Sequence, residues 1–200
     1  MCREVISDRK ELGRGVRMGD MEMKVRRRII GICGSASENS ANLAILKFIA
    51  ESTKSEFDFQ LIEDLTAFPH FRTALTDENV PDKIVDLRIK IWDSDGIVIC
   101  TPEYVFSIPS GLKNILEWCV STTVFSNKPI ALITASANGE KAHEELKLIM
   151  KTLQTRFTED ATLLIQGVKG KVTRAGEIAD KETEMRLRDL INSFKGLITG

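Results

Sequence analysis

A chain of 200 residues, 42% hydrophobic and 28% charged, has the length and balance of one soluble globular domain with a sizeable core. Its 28 Lys and Arg against 29 Asp and Glu leave a formal net charge of −1, so nothing favours nucleic acid as the main partner. None of the four cysteines forms a C-x-x-C pair or neighbours a histidine, which argues against a zinc site, and no apolar stretch approaches the ~20 residues that span a bilayer.

Residues 1–24 are rich in Arg, Asp, Glu and Gly without a sustained apolar period, and are expected to be a disordered extension. They lack the apolar middle of a signal peptide. Cys33 and Cys100 lie inside apolar runs and read as free, buried strand cysteines, which suits a reducing compartment. A cytoplasmic protein without membrane contact is expected.

Residues 25–200 form the expected domain. Arg28–Cys33 (RIIGIC) is a short apolar run ending at Gly34 and predicts a buried strand. A helix follows over Ala41–Ser55, with Ser40 as its N-cap. Phe57–Ile62 predicts a second strand, and Asp64–Glu78, which contains Pro69, an irregular stretch. Val80, Ile84, Leu87 and Ile91 fall at helical spacing, and Gly96–Cys100 (GIVIC) predicts a third buried strand. Leu112, Ile115, Leu116 and Cys119 mark the next helix, Pro129–Thr134 (PIALIT) a fourth strand, and Leu146, Ile149, Met150, Leu153 and Phe157 a helix with one apolar face. Ala161–Gln166 predicts a fifth strand, and Leu187, Leu190, Ile191, Phe194 and Leu197 line the closing helix. Short apolar strands alternating with helices predict an α/β protein, an open parallel sheet wrapped by helices on both faces. Ligands of such sheets bind at the carboxyl ends of the strands, so the loops after Cys33, Cys100 and Thr134 carry the functional interest.

The first of these loops runs from Gly34 through Ser35, Ala36, Ser37, Glu38, Asn39 and Ser40 to Ala41 and Asn42. Small hydroxyl and amide side chains, backbone N–H groups and a helix start suit a phosphate; simple capping of the helix by Ser40, with Asn39 in a turn, is the other reading. The loop lacks the Gly-Lys-Ser/Thr ending of a triphosphate loop and the third glycine of a dinucleotide fingerprint. In the second loop, Thr101 to Asn114 (TPEYVFSIPSGLKN), two prolines fix the backbone, and Tyr104 and Phe106 suit the edge and face of a flat ring. An ordinary strand-to-helix connection whose aromatics pack on the core fits equally well.

Gly34-Ser35 with Ser40 and Asn42, then Thr101-Pro102-Glu103-Tyr104 and Ser107-Ile108-Pro109 with Leu112-Lys113-Asn114, resemble the NADPH-dependent FMN reductases, a family that includes flavin, quinone, chromate and azo-dye reductases. The resemblance extends from Arg28 to Gly200. It implies a flavodoxin-like three-layer sandwich with a five-stranded parallel sheet. It also implies FMN as cofactor, NADPH or NADH as electron donor, and a homodimer or homotetramer. Ser35, Ser37, Ser40, Ala41 and Asn42 would hold the FMN phosphate; Pro102, Glu103, Tyr104, Val105 and Phe106 would line the isoalloxazine; Ser136 to Gly139 would approach from its other side. Three positions depart from the family pattern: Ser37 stands where Arg is common, Val105 where Asn is usual, and Glu140 follows Gly139 where a second Gly is usual.

The implied activity is transfer of hydride from nicotinamide to flavin and then of electrons to a small acceptor, with no side-chain acid or base. His70 and His143 read as surface or helix residues. Glu103 reads as a neighbour of the flavin or of a subunit boundary, and Trp118, Val124 and Phe125 as core or interface. A flavodoxin-type electron carrier and a relative that has lost FMN are the alternatives.

Overall fold

The computed structural model describes residues 26–38, 40–173 and 175–200. The extension at residues 1–24 and the turn expected at Asn39 lie outside the described residues.

The described chain alternates strand and helix from β1 (Arg27–Cys33) through α1 (Ala41–Ser52), β2 (Phe57–Ile62), α2 (Asp82–Asp93), β3 (Gly96–Thr101) and α3 (Ser110–Glu117) to β4 (Ile130–Ser136), α4 (Glu140–Thr152), β5 (Thr162–Gln166) and α5 (Lys181–Thr199). The strands form one sheet in the order β2-β1-β3-β4-β5, every neighbouring pair parallel. Parallel strands need crossover connections, and here helices supply them.

Side chains alternate across each strand, and this alternation divides the core in two. Ile30, Ile32, Ile97, Ile99, Ile130 and Leu132 face α2, α3 and α4. Ile29, Cys33, Val98, Cys100, Ile133 and Ile165 face α1 and α5. Burying both faces explains why β3, GIVICT, is buried at every position: a central parallel strand has no solvated side. The layers are helices, sheet, helices.

Helix ends differ from the sequence expectation by a few residues. α1 stops at Ser52 rather than Ser55, because Thr53 turns back and its hydroxyl donates to the Ile49 carbonyl at 2.8 Å. Val80 precedes α2, Cys119 lies past α3, and Leu153 and Phe157 lie past α4, yet Cys119, Leu153 and Phe157 all pack into the same core cluster. Apolar spacing reports the buried face and not the hydrogen-bond ladder. β4 extends to Ser136, two residues beyond the expected strand. Trp118, Val124 and Phe125 are all buried within the chain, which selects core over interface for each.

The irregular stretch after β2 is held against α3 by a small network. The Pro69 carbonyl accepts from Asn114 Nδ2 (3.0 Å) and Trp118 Nε1 (2.8 Å), and Phe71 N–H donates to Asn114 Oδ1 at 2.7 Å. The Phe71 ring meets Trp118 edge to face at 5.3 Å. Non-repetitive backbone next to the sheet's carboxyl end is thereby fixed without a helix or strand.

Candidate active site at the sheet switch point

From β1 the chain moves to β2 on one side, and after α2 it returns to β3 on the other. The direction of winding reverses between β1 and β3, so the connections leaving these two strands part above the sheet and open a crevice. Both strands end level: Cys33 pairs with Cys100, and Gly34 N–H donates to the Cys100 carbonyl at 2.8 Å. A Cβ on Gly34 would stand 2.3 Å from Thr101 Oγ1, so only glycine lets the first loop leave the sheet this close to the second.

The first loop carries its hydroxyls where β1 meets α1. Ser40 caps α1, its Oγ accepting from Asn42 N–H at 3.1 Å; a helix start leaves further amide donors without intrahelical partners. Ser35 Oγ accepts from Ser37 N–H at 3.2 Å, and Ser37 itself is exposed. Asn42, a phosphate contact by the resemblance, also has a part within the fold. Its side chain is buried, donates through Nδ2 to the Ala135 carbonyl at 3.2 Å, and accepts from Cys100 Sγ at 3.3 Å. It ties the first turn of α1 to β3 and β4.

The second loop makes a tight hairpin. Tyr104 N–H donates to the Ser107 carbonyl (2.9 Å) and Ser107 N–H to the Tyr104 carbonyl (3.1 Å). The two residues between them, Val105 (φ 51°) and Phe106 (φ 58°), are both left-handed, the φ pattern of a type I′ turn that normally selects Asn-Gly. A β-branched residue here is strained, and such strain persists where surrounding structure fixes it, often at functional sites. Val105 and Phe106 are 95% and 74% exposed, so neither ring nor isopropyl group packs on the core. Tyr104 is 43% exposed and its Oη lies 3.5 Å from Ser35 Oγ, which brings the first and second loops together. Pro102 is buried at the base of the loop.

The third loop joins through Glu103. Its carboxylate accepts from Gly139 N–H (3.3 Å) and Ala142 N–H (2.9 Å), supplying the cap that Gly139 cannot. Negative charge at a helix start is favourable in itself. Glu103 is therefore bound within its own chain. Gly139 has φ 90°, and a Cβ there would meet Leu164 Cδ1 at 3.0 Å, so glycine is required on both counts. Ser136, the last residue of β4, is half-buried beside it. Gln166 on β5 bridges the next two polar residues, its Nε2 donating to Glu140 Oε1 at 3.3 Å and to Asn138 Oδ1 at 2.8 Å.

The buried titratable groups among the described residues are thiols. Burial pushes the Cys100 thiol well up, raises Cys33, and takes Cys119 up to about 12; all three are free and protonated at neutral pH. His143 on α4 is half-buried, with Nδ1 3.0 Å from Thr134 Oγ1, and desolvation followed by the charge of Lys147 lowers its pKa. Among the described residues no three His, Cys, Asp or Glu side chains gather where they could hold a metal ion, and no helix is long and apolar enough to cross a membrane.

The three loops together offer hydroxyls and a helix start for a phosphate monoester, and a rigid hairpin with an exposed aromatic for a flat ring. This is a flavodoxin-like sheet whose loops meet at its switch point, the place where ligands of such sheets bind. The NADPH-dependent FMN reductase family model matches residues 27–169, and the chain belongs to that family. It is an NAD(P)H-dependent oxidoreductase with FMN as its cofactor. The chain is similar to the NADH:(hydroxy)cinnamate reductase subunit CrdA of Vibrio ruber, 29% identical over 82% of this chain and 84% of that one. It is also similar to the NAD(P)H:quinone oxidoreductase of Solanum tuberosum, at 26% identity over 85% and 92%. Among solved structures, the NAD(P)H:(acceptor) oxidoreductase FerB from Paracoccus denitrificans superimposes with a TM-score of 0.73 over 86% of this chain and 97% of that one, at 22% identity.

Proposed function

We propose that this protein is a two-step reductase: a nicotinamide reduces bound FMN, and a small planar acceptor of the quinone kind then reoxidises it in the same crevice. The observation that carries the proposal is the meeting of three loops above β1, β3 and β4, joined by the Ser35–Tyr104 and Glu103–Ala142 contacts. The hydroxyls of Ser35, Ser37 and Ser40 and the start of α1 at Ala41 would hold the phosphate, with Asn42 fixing that helix start to the sheet. Pro102, Glu103, Tyr104, Val105 and Phe106 would border the ring on one side, mostly through backbone, and Ser136 to Gly139 on the other. Bound there, FMN supplies the hydride-accepting and electron-releasing chemistry, and the protein supplies binding, orientation and electrostatics.

The residues present fit that cofactor in kind. Ser37 contributes a hydroxyl where a guanidinium would add a charge-assisted bond worth roughly 1.5–3 kcal/mol, so the phosphate is held by neutral donors and the helix dipole. Affinity about ten- to a hundredfold below that of an Arg-bearing site follows.

The quinone class of acceptor is supported by two things: the similarity to quinone-reducing relatives and the apolar, exposed side chains of Val105 and Phe106 at the rim. The same exposed pair would be covered in a homodimer or homotetramer, the assembly that this family's resemblance implies. Free, buried cysteines suit the reducing cytoplasm, where we place the protein. The test is anaerobic rapid mixing of the FMN-loaded protein with NADPH and, separately, NADH. Bleaching of the flavin's visible band, reversed by added benzoquinone, is expected. A flavin that stays oxidised with both donors would end the proposal.

A further inference from the structure

The strained hairpin of the second loop is held from α4 by a second carboxylate. Glu145 Oε2 accepts from Ser107 Oγ at 2.6 Å and from Ile108 N–H at 3.0 Å, and its Oε1 lies 4.0 Å from Lys113 Nζ. Glu103 reaches in the opposite direction, from the loop to the first turn of α4. Two carboxylates thus cross between one loop and one helix. One is on the loop and caps the helix; the other is on the helix and caps the loop. Tyr104 and Ser107 close the hairpin between these anchors, with left-handed Val105 and Phe106 at its tip.

The side chains at the tip give it little support. Val105 is almost fully exposed and Phe106 largely so, and left-handed φ at a β-branched residue is unfavourable by itself. A turn that neither its own residues nor packing favours must be fixed at its ends. Glu145 fixes the end that leads into α3, and Glu103 the end that leaves β3. The backbone at Tyr104, and with it the ring that approaches Ser35, is set between them.

We propose that Glu145 is a positioning residue of the active site: it fixes the Tyr104–Ser107 hairpin in the conformation that receives the flavin ring. It touches neither cofactor nor acceptor and acts through Ser107 and Ile108. The proposal rests on the FMN site described above, but its first test does not need FMN.

The variants are Glu145→Ala, which removes both acceptors, and Glu145→Gln, which keeps one neutral acceptor oxygen. In the cofactor-free protein, amide hydrogen exchange at Ser107 and Ile108 is expected to speed up by at least about tenfold in Glu145→Ala, and to return most of the way in Glu145→Gln. Exchange in β3 and β4 should stay unchanged. FMN affinity, read by quenching of flavin fluorescence, is expected to weaken about tenfold in Glu145→Ala with recovery in Glu145→Gln. Unchanged exchange at Ser107 and Ile108 in Glu145→Ala would overturn the proposal. So would faster exchange spread evenly over the whole sheet, since that marks global destabilisation rather than positioning, and so would a loosened hairpin with undiminished FMN affinity. If wild-type protein itself fails to quench FMN, the proposed function falls and the receiving role of the hairpin falls with it, whatever the exchange data say of Glu145.

Discussion

The Glu103 carboxylate accepts a hydrogen bond from the backbone N–H of Ala142 at 2.9 Å, and so joins the loop that leaves β3 to the first turn of α4. The Glu103 side chain thus serves as a helix cap. Glu103→Ala is expected to destabilise the protein by about 1–2 kcal/mol, the usual effect of losing a cap. For a chain of this size that lowers Tm by roughly 2–8 °C. Glu103→Gln, which still accepts, should lose less. Calorimetry on both variants checks the order; equal Tm for wild type and Glu103→Ala would contradict it.

Val105 is left-handed (φ 51°) and 95% exposed, so its side chain contributes strain and almost no packing. Val105→Asn places a residue that tolerates this conformation at the same site. It is expected to stabilise the protein by about 1 kcal/mol, raising Tm by roughly 2–4 °C. A lower Tm in the variant would show that the isopropyl group has a packing role.

His143 gives a pH dependence whose sign follows from its environment. Burial, and then the charge of Lys147, lower its pKa from the ordinary 6.5. In the window below that value the unfolded chain binds a proton that the folded chain resists, so acid favours unfolding. The contribution is fully present above about pH 6.5 and is lost as pH falls toward the lowered folded value. His143→Gln keeps a partner for Thr134 Oγ1 and removes the titration. Between about pH 7.5 and about pH 5.5 wild type should lose more Tm than this variant; parallel curves would exclude the role.

The thiols of Cys33, Cys100 and Cys119 are buried, and burial raises all three pKa values. Thiolate is the reactive form. In a Cys2→Ala variant, a disulfide reagent such as DTNB is expected to leave the native protein unmodified and to titrate these three thiols after denaturation. Rapid reaction of Cys33 or Cys100 in the native state would show that the sheet opens near the crevice.

Much of the fold was legible because its signals are cooperative. β1 from Ile29 onward, β3, and β4 up to Ala135 are buried at every position, as central parallel strands must be, and helices with one apolar face alternate with them. Strand order was not carried by pattern; it follows from pairings between strands far apart in sequence. At the site, the loop positions and Ser40's cap were readable because each depends on neighbours in sequence. The Glu103–Ala142, Glu145–Ser107 and Asn42–Ala135 contacts were not, since they span 39, 38 and 93 residues. The left-handed pair Val105–Phe106 was hidden for another reason: the residue types argue against that conformation, and the closing bonds at Tyr104 and Ser107 override them. Such a conflict between local preference and global structure is itself a pointer to a functional loop.

The crevice between β1 and β3 is where we propose that FMN binds. Titration of FMN into the purified protein, followed by flavin fluorescence and by Tm, tests it most directly. Saturable quenching at one FMN per chain, with Tm rising as ligand exceeds its dissociation constant, is the predicted result. The same titration on Gly34→Ala, whose Cβ would press on Thr101 Oγ1 at 2.3 Å, should show neither. Wild-type protein that leaves FMN fluorescence and Tm unchanged would mean that the crevice does not bind FMN.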